Sequence, residues 1–339
     1  MSINDPLLTL DIIGSGVTAD NCALRHNQTT LLGRGTYDYI QGMRDELVVN
    51  RGYSLPPYYQ KEWSFNKENY WTPANLGNLE TWFSPEYFHP ETNNPTLCVQ
   101  MENQSADANA GANAVQNTTG SMATLTTTAG RHIGNTVLDF DGTTDRYLVD
   151  GSSDWSTSTD DWFCCIMLHG PPNDTDDIQH VIKKGTRLSL QLDWSGSNKD
   201  VIFNWGDGAS TGSLTEVGGA QTSSTLPSIH TFGRSSGRMF LRTLKGDGTL
   251  LEQTTTRFAG SMNQTYKPRI GYNSPIGTAK HYDGEFVELI FCNDTLTVST
   301  NATEANAHAV EGYLAHKYGV AKDILPTDHT YYTQPPRET

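Results

Sequence analysis

Short apolar segments separated by turn residues run through most of this chain, from residue 82 to residue 294. Residues 188–194 alternate between apolar and polar side chains, which is the period of a strand that buries one face. Residues 162–168 are apolar throughout, as in a strand that is covered on both faces. The turn sequence at 245–248 lies between two further apolar segments and predicts a hairpin. Many short strands joined by such turns predict an all-β sandwich.

The charge of the chain limits its partners. Its 339 residues include 23 Lys and Arg against 38 Asp and Glu, which gives a formal net charge of −15. Proteins that bind nucleic acid need a basic surface to neutralise phosphates, and anionic lipid attracts the same kind of surface. We therefore expect neither nucleic acid nor a membrane as a partner. The first ten residues lack the basic and apolar parts of a secretory signal, so we expect synthesis in a reducing cytoplasm with unpaired cysteines.

Residues 1–70 differ from the rest of the chain. Residues 36–49 carry a helical apolar stripe, and Pro56 and Pro57 favour an extended segment after it. Residues 53–88 contain 11 aromatic side chains, a density that requires a surface to bury against. Two interpretations stay open, because this arm could pack on its own domain or dock on a neighbouring subunit.

One helix is predicted near the C-terminus. Asn301 can cap it, Val310 and Leu314 lie on one face, and Gly319 can end it in a left-handed conformation. Residues 105–130 are rich in small and polar side chains and predict a long exposed loop.

Three blocks carry a resemblance to a known family. They comprise residues 71–76 with 79–83, residues 135–148, and residues 284–291 with 310–319 and 325–331. The last block, which ends in Leu-Pro-Thr-Asp-His-Thr-Tyr, is the most specific. Together they resemble the LamG-like, concanavalin A-like jelly-roll domains common in the virion proteins of marine bacteriophages. Residues 83–85 depart from the family, which often has a short acidic stretch there.

The resemblance implies a jelly-roll β-sandwich over residues 71–331 with one C-terminal helix, preceded by an irregular arm at 1–70 and followed by a tail at 332–339. It also implies a multi-copy virion structural protein, either a capsid decoration or a component of the tail or its fibres. The arm would anchor it to other virion proteins. By analogy of fold, we expect host-surface glycans as an additional ligand, with a role in host attachment.

An enzyme is the alternative function, because jelly rolls include polysaccharide depolymerases and glucanases. Such glucanases carry three acidic residues that alternate along one strand and face one side. The nearest pattern is Asp283, Glu285 and Glu288, and strict alternation turns Glu288 to the opposite face. We therefore expect no hydrolase and no catalytic residues. A free carbohydrate-binding module is a third interpretation, which does not explain the arm.

Two further sets of residues are candidates for ligand binding. Asp139, Asp141 and Asp145 offer oxygen ligands of the kind that Ca²⁺ prefers, although Asp141-Gly142 equally suits a tight turn. We expect no metal or cofactor, with Ca²⁺ as the only candidate. Trp155 and Trp205 lie beside predicted turns and could stack on sugar rings, whereas a place in the β core is the competing interpretation.

Overall fold

The computed structural model describes residues 71–336 except for a set of gaps at 77–78, 106–112, 128–135, 150–154, 156–160, 170–177, 195–198, 208, 219–225, 258–259, 261–265, 273–280 and 294–304. The arm at 1–70, with its predicted helix, and the helix cap at Asn301 lie outside the described residues. None of the helices in the described ranges is long and apolar enough to cross a membrane.

The described residues form sixteen strands, two 3-10 turns and two helices. The strands are β1 Leu79–Pro90, β2 Cys98–Asn103, β3 Ala114–Val115, β4 Thr124–Thr127, β5 Thr136–Asp141, β6 Tyr147–Val149, β7 Trp162–His169, β8 Ile178–Lys184, β9 Leu188–Asp193, β10 Asp200–Gly206, β11 Thr211–Glu216, β12 Ser228–Ser235, β13 Arg238–Leu244, β14 Leu250–Arg257, β15 Pro268–Ile270 and β16 Asp283–Cys292. The helices are α1 Ala305–Lys317 and α2 Ala321–Ile324, and the 3-10 turns are Pro73–Asn75 and Thr119–Ser121.

The strands pair antiparallel in one continuous path, β11-β10-β9-β8-β15-β6-β3-β2-β1-β16-β7-β12-β13-β14. Strand β1 turns the corner of this path, because its first residues pair with β16 and its last residues pair with β2. Strand β5 pairs with the first half of β16, and β4 pairs with β5. The path folds over into two layers, since Trp162 of β7 packs edge-on against Phe203 of β10, with ring centroids 6.2 Å apart.

Two apolar clusters hold the layers together. The larger cluster fills the space between them, and the smaller one lies between α1 and the layer that contains β16, β7 and β12. Strand β7 is buried along its whole length because it faces both clusters, with Cys164 in the larger and Cys165 in the smaller. Val310 and Leu314 of α1 lie in the smaller cluster. The prediction of an all-β jelly-roll sandwich with a C-terminal helix is therefore confirmed.

One sequence-based prediction of the fold is wrong. Residues 105–130 do not form a continuous loop, because β3, a 3-10 turn and β4 lie within them. Strand β3 has only two residues and pairs with β2 and β6 on either side. A strand so short has no side-chain period to recognise, and pairing with its neighbours creates it. At the other end of the fold, the Trp71 amide donates to the Pro336 carbonyl at 3.3 Å and joins the two ends of the described region.

Candidate functional site

A group of acidic side chains lies where β5, β16 and β7 run side by side. Glu285 of β16 is directly opposite Asp139 of β5 on one side and His169 of β7 on the other. Two residues earlier on β16, Asp283 is opposite Asp141. Side chains alternate between faces along a strand. All five therefore face away from the core between the two layers, on the side of the sheet that also carries α1.

His169 holds Glu285 in place. Its Nδ1 lies 2.5 Å from Glu285 Oε2, and the imidazole is buried whereas the Glu285 side chain is 22% exposed. The Asp283 backbone N–H donates to Gln179 Oε1 at 3.1 Å, which fixes the strand at the same point. Glu285 is thus an oriented carboxylate that remains within reach of solvent.

A β-bulge moves Glu288 to the same face as Glu285. The register between β16 and β7 shifts between Phe286 and Glu288, so that Val287 is the extra residue. Glu288 is fully buried, and its carboxylate accepts bonds from Trp82 Nε1 at 2.6 Å, Lys317 Nζ at 2.7 Å and Tyr318 Oη at 2.6 Å. The expectation that Glu288 lies on the opposite face is therefore wrong, although its bonds to α1 and β1 give it a structural role.

The neighbouring acids disfavour each other's ionisation. Burial, together with the charges of Glu285 and Asp141, raises the pKa of Asp139 above its usual value. Burial raises the pKa of Asp283 to about 6, with the charges of Asp139 and Asp141 as further causes. A carboxyl group with a raised pKa can give up a proton near neutral pH, as a general acid must.

The spacing of this group is suited to chemistry on a sugar. Directly opposed residues of an antiparallel pair have Cβ atoms about 4.5–5.5 Å apart. Glycosidases that retain anomeric configuration place their two carboxyl groups about 5–5.5 Å apart. Glu285 and Asp139 are such an opposed pair, so their side chains leave neighbouring strands on the same face and both carboxyl groups can approach one sugar from that side. Sequence spacing alone missed Asp139, because it is on a different strand.

The candidate Ca²⁺ ligands lie at a tight turn. The Asp141 carboxylate accepts the backbone N–H groups of Thr143, Thr144 and Asp145 at 2.7–3.0 Å, and the hydroxyls of both threonines. Asp145 is buried, and its Oδ2 accepts the Asp141 N–H at 2.9 Å. Burial raises the pKa of Asp145 to about 7, with the neighbouring charges of Asp141 and Asp139 as further causes. These contacts are those of a tight turn, and the Ca²⁺ interpretation stays a prediction.

The two tryptophans proposed as sugar-binding residues lie in the core. Trp155 is fully buried, stacks on Phe291 at 4.6 Å and donates its Nε1–H to Thr81 Oγ1 at 2.9 Å. Trp205 is 6% exposed and packs beside Phe203, with centroids 5.4 Å apart. A sugar needs an exposed ring face to stack on. We therefore assign both side chains to the core between the two layers.

A second titratable cluster lies under α1. His308, Glu311 and His329 bring one ligand atom each to within 4.8 Å of one another. The sequence did not suggest a metal site at His329. Glu311 is already engaged, because its two oxygens accept from Arg242 at 3.1 Å each and from Thr231 at 2.9 Å. The adjacent guanidinium opposes a second cation, so this cluster does not suit a metal ion.

No protein-family model matches this chain, and no curated protein matches it. Solved structures with a similar sandwich include the enzymatically active domain of tailspike protein 2 from bacteriophage CBA120, with a TM-score of 0.43 and 15% identity over 64% of this chain and 31% of that one. A carbohydrate-binding module of a Ruminococcus gnavus sialidase, bound to α2,3-sialyllactose, has a TM-score of 0.36 and 13% identity over 48% and 91%. An arabinofuranosidase in complex with arabinofuranosyl-α-1,2-xylobiose has a TM-score of 0.45 and 13% identity over 76% and 62%.

These similarities concern the type of sandwich. The chain spans less than a third of the length of the tailspike structures that it matches, 28% of the full-length protein and 31% of its active domain. The similar structures include proteins that bind carbohydrate and proteins that cleave it. Membership of the LamG-like family stays a prediction, because it depends on the sequence blocks alone.

The comparisons and the strand pairing count against the prediction that this chain is not an enzyme. Sandwiches of this type occur in an enzymatically active tailspike domain and in an arabinofuranosidase. The reason given for the prediction also fails, because it considered one strand with strict alternation. The bulge changes the face of Glu288, and β5 supplies Asp139 as the second carboxylate opposite Glu285.

Proposed function

We propose that this protein cleaves a polysaccharide at the surface of a phage particle, with Glu285 and Asp139 as its carboxyl pair. The observation that carries the proposal is the row His169, Glu285, Asp139 across three neighbouring strands. It combines an oriented carboxylate with a carboxyl group whose pKa is raised. These are the two roles that glycoside hydrolysis requires.

In the proposed reaction, Glu285 attacks the anomeric carbon while Asp139 gives its proton to the departing glycosidic oxygen. The C–O bond to the leaving sugar breaks as the bond to Glu285 forms. Water then displaces Glu285 from the glycosyl carbon, and Asp139 takes the proton from that water. Configuration is retained after two inversions. His169 acts as a positioning residue, since it holds Glu285 through Nδ1 and does not itself touch the sugar.

The phage setting is part of the proposal. Its support is the resemblance of residues 284–291, 310–319 and 325–331 to virion jelly rolls. We propose that residues 1–70 attach the sandwich to other virion proteins, on the capsid or the tail. The strong negative charge favours solubility when many copies are crowded on one particle.

The test is chain shortening of host-surface polysaccharide by the purified full-length protein. We expect Glu285→Gln and Asp139→Asn each to lower the rate at least about a hundredfold, as expected for loss of a group that acts in the transition state. Asp328→Asn, at an exposed carboxylate, is the matched control and should leave the rate unchanged. Proton NMR of the first product should show retained configuration. Binding of polysaccharide without any shortening would overturn the proposal.

A further inference from the structure

A group of cationic and aromatic side chains lies at the end of the sandwich where β15 finishes and β16 begins, a few residues along the chain from Glu285 of the carboxyl pair. We call it the cationic cluster, and its members are Arg146, Lys183, Arg269, Tyr272 and His281. Tyr272 and His281 form a bridge between the two strand ends, and their rings are stacked with centroids 6.0 Å apart and 12° between the ring planes.

Two arginines approach the same ring. The guanidinium carbon of Arg146 lies 5.4 Å from the Tyr272 centroid, and that of Arg269 lies 5.3 Å from it. Both distances are within the range of cation–π contacts. Two like charges are thus held close together on one aromatic side chain.

Lysine adds a third charge to this cluster. Arg269 is directly opposite Lys183 in the pairing of β15 with β8. Their neighbours Ile270 and Ile182 point into the core between the layers, so Arg269 and Lys183 both point outward. Burial lowers the pKa of Lys183.

The cluster holds donors that no described residue uses. Arg269 Nε and His281 Nε2 are buried, and neither has a hydrogen-bond partner among the residues that the structure describes. The acid that acts on the cluster is Asp141, whose charge opposes the lowering of the His281 pKa by burial and by Arg146. The Asp141 carboxylate is already occupied by the N–H groups of its own turn. In a chain with a net charge of −15, cations that pair with no acid in the described part of the chain call for an anionic ligand.

We propose that the cationic cluster binds the carboxylate groups of an acidic polysaccharide, an inference that rests on the proposed function. The planar guanidinium offers parallel N–H donors that match a carboxylate, and two of them lie within one small area. His281, Asp283 and Glu285 all face outward on the same stretch of chain, and Tyr282 and Phe286 between and after them point into the core. At about 3.3 Å per residue, His281 is about 13 Å from Glu285. One acidic polysaccharide can therefore reach the cationic cluster and the carboxyl pair together.

The binding test uses the full-length Glu285→Gln variant, so that the probe is not cleaved. The probes are polygalacturonate with carboxylates, dextran sulfate with sulfate esters, and neutral dextran. We expect polygalacturonate to bind more tightly than either dextran. Adding Arg146→Gln and Arg269→Gln should weaken that binding at least about tenfold, because charge-assisted bonds are lost. Arg238→Gln, at an exposed site on β13, is the control and should change nothing.

Two further measurements keep the result interpretable. Arg269→Lys keeps the charge and loses the planar fork, so it should give intermediate binding even if the double variant folds poorly. Unchanged polygalacturonate binding in the folded double variant would overturn the inference, as would a preference for dextran sulfate. A second comparison measures cleavage with Glu285 retained. If replacing Arg146 and Arg269 leaves the cleavage rate of the native protein unchanged, this inference is rejected and the proposed function stands. Arginine-dependent binding without cleavage of any substrate would do the reverse.

Discussion

Glu285 and Asp139 lie directly opposite each other on β16 and β5, and His169 holds the glutamate from the far side. The pair combines residues that are far apart in the sequence. Its two carboxyl groups come from two neighbouring strands rather than from one. Asp283, the next outward residue on β16, adds a further negative charge to the same face.

Removing the charge of Asp283 should change the pH dependence of the proposed cleavage. Burial and then the charge of Asp139 raise the pKa of Asp283, and because charge repulsion is mutual, a charge on Asp283 also disfavours ionisation of Asp139. Asp283→Asn removes that repulsion and lowers the pKa of Asp139, so the proton donor is lost at a lower pH. We expect the alkaline limb of the pH–rate profile to move to lower pH by about half a pH unit to one pH unit. Asp328→Asn is the control, and a shift toward higher pH would contradict the assignment.

Replacing Glu311 should destabilise the fold strongly. Burial by itself would raise the pKa of Glu311, but Arg242 and the bond from His329 outweigh it and hold the pKa well below the usual range. Glu311→Gln leaves the buried Arg242 with only the partly exposed Glu252 as its counter-charge, at a cost of about 3–5 kcal/mol in the free energy of unfolding. Urea unfolding at pH 7 measures this cost.

The same variant should lose part of its sensitivity to acid. A carboxylate with a lowered pKa stabilises the fold above about pH 4.3, its usual value, and that stability is lost as the pH falls further. A glutamine side chain at this position cannot titrate, so the acid limb should flatten. Glu102→Gln is the control, because its exposed pair with His89 contributes about 1 kcal/mol or less. An unchanged acid limb in Glu311→Gln would contradict the ion-pair interpretation.

Helix α1 should be integral to the sandwich. Leu314 is fully buried in the cluster between α1 and the sheet. Leu314→Ala should lower the free energy of unfolding by about 2–5 kcal/mol, as is typical for truncation of a core leucine. Lys322→Ala, at an exposed position on α2, should change it by less than about 0.5 kcal/mol. Thermal or urea unfolding measures both changes. Equal losses of unfolding free energy in the two variants would show that α1 is peripheral.

Deleting residues 1–70 should separate folding from assembly. The described domain closes through the bond between Trp71 and Pro336 and has its own core. We expect the shortened chain to fold with the same far-ultraviolet circular dichroism and to be missing from purified particles. Arg238→Gln in the full-length chain serves as the assembly control. Incorporation of the shortened chain at normal copy number would refute the anchoring role.

Trp155 should matter for stability rather than for sugar binding. Trp155→Ala removes the stack on Phe291 and the bond to Thr81, and we expect a loss of about 3–5 kcal/mol. Trp155→Phe keeps an aromatic ring and should lose about 1–2 kcal/mol. Polysaccharide binding, measured well below the unfolding temperature of each variant, should stay constant. A folded variant that no longer binds would restore Trp155 as a ligand residue.

The sequence by itself determined the elements that bury large apolar faces. Strand β7, the alternating strand β9 and the hairpin of β13 and β14 were all predicted, because hydrophobic periodicity is a local property of the chain. The turn at Asp141 and the helix end at Gly319 were also predicted from local sequence, because the residue type specifies the backbone conformation there. Strand β3 was missed because it exists only through its neighbours.

Only the tertiary structure decided which polar side chains meet. Strand pairing places Asp139 beside Glu285, and the bulge at Val287 changes the face of Glu288. A shift of one residue reverses the direction of every later side chain, so strict alternation cannot predict faces beyond a bulge. The cationic cluster likewise combines residues on or next to β6, β8, β15 and β16. Sequence patterns report what each segment buries, whereas a site is made by contacts between segments that the chain brings together only when it folds.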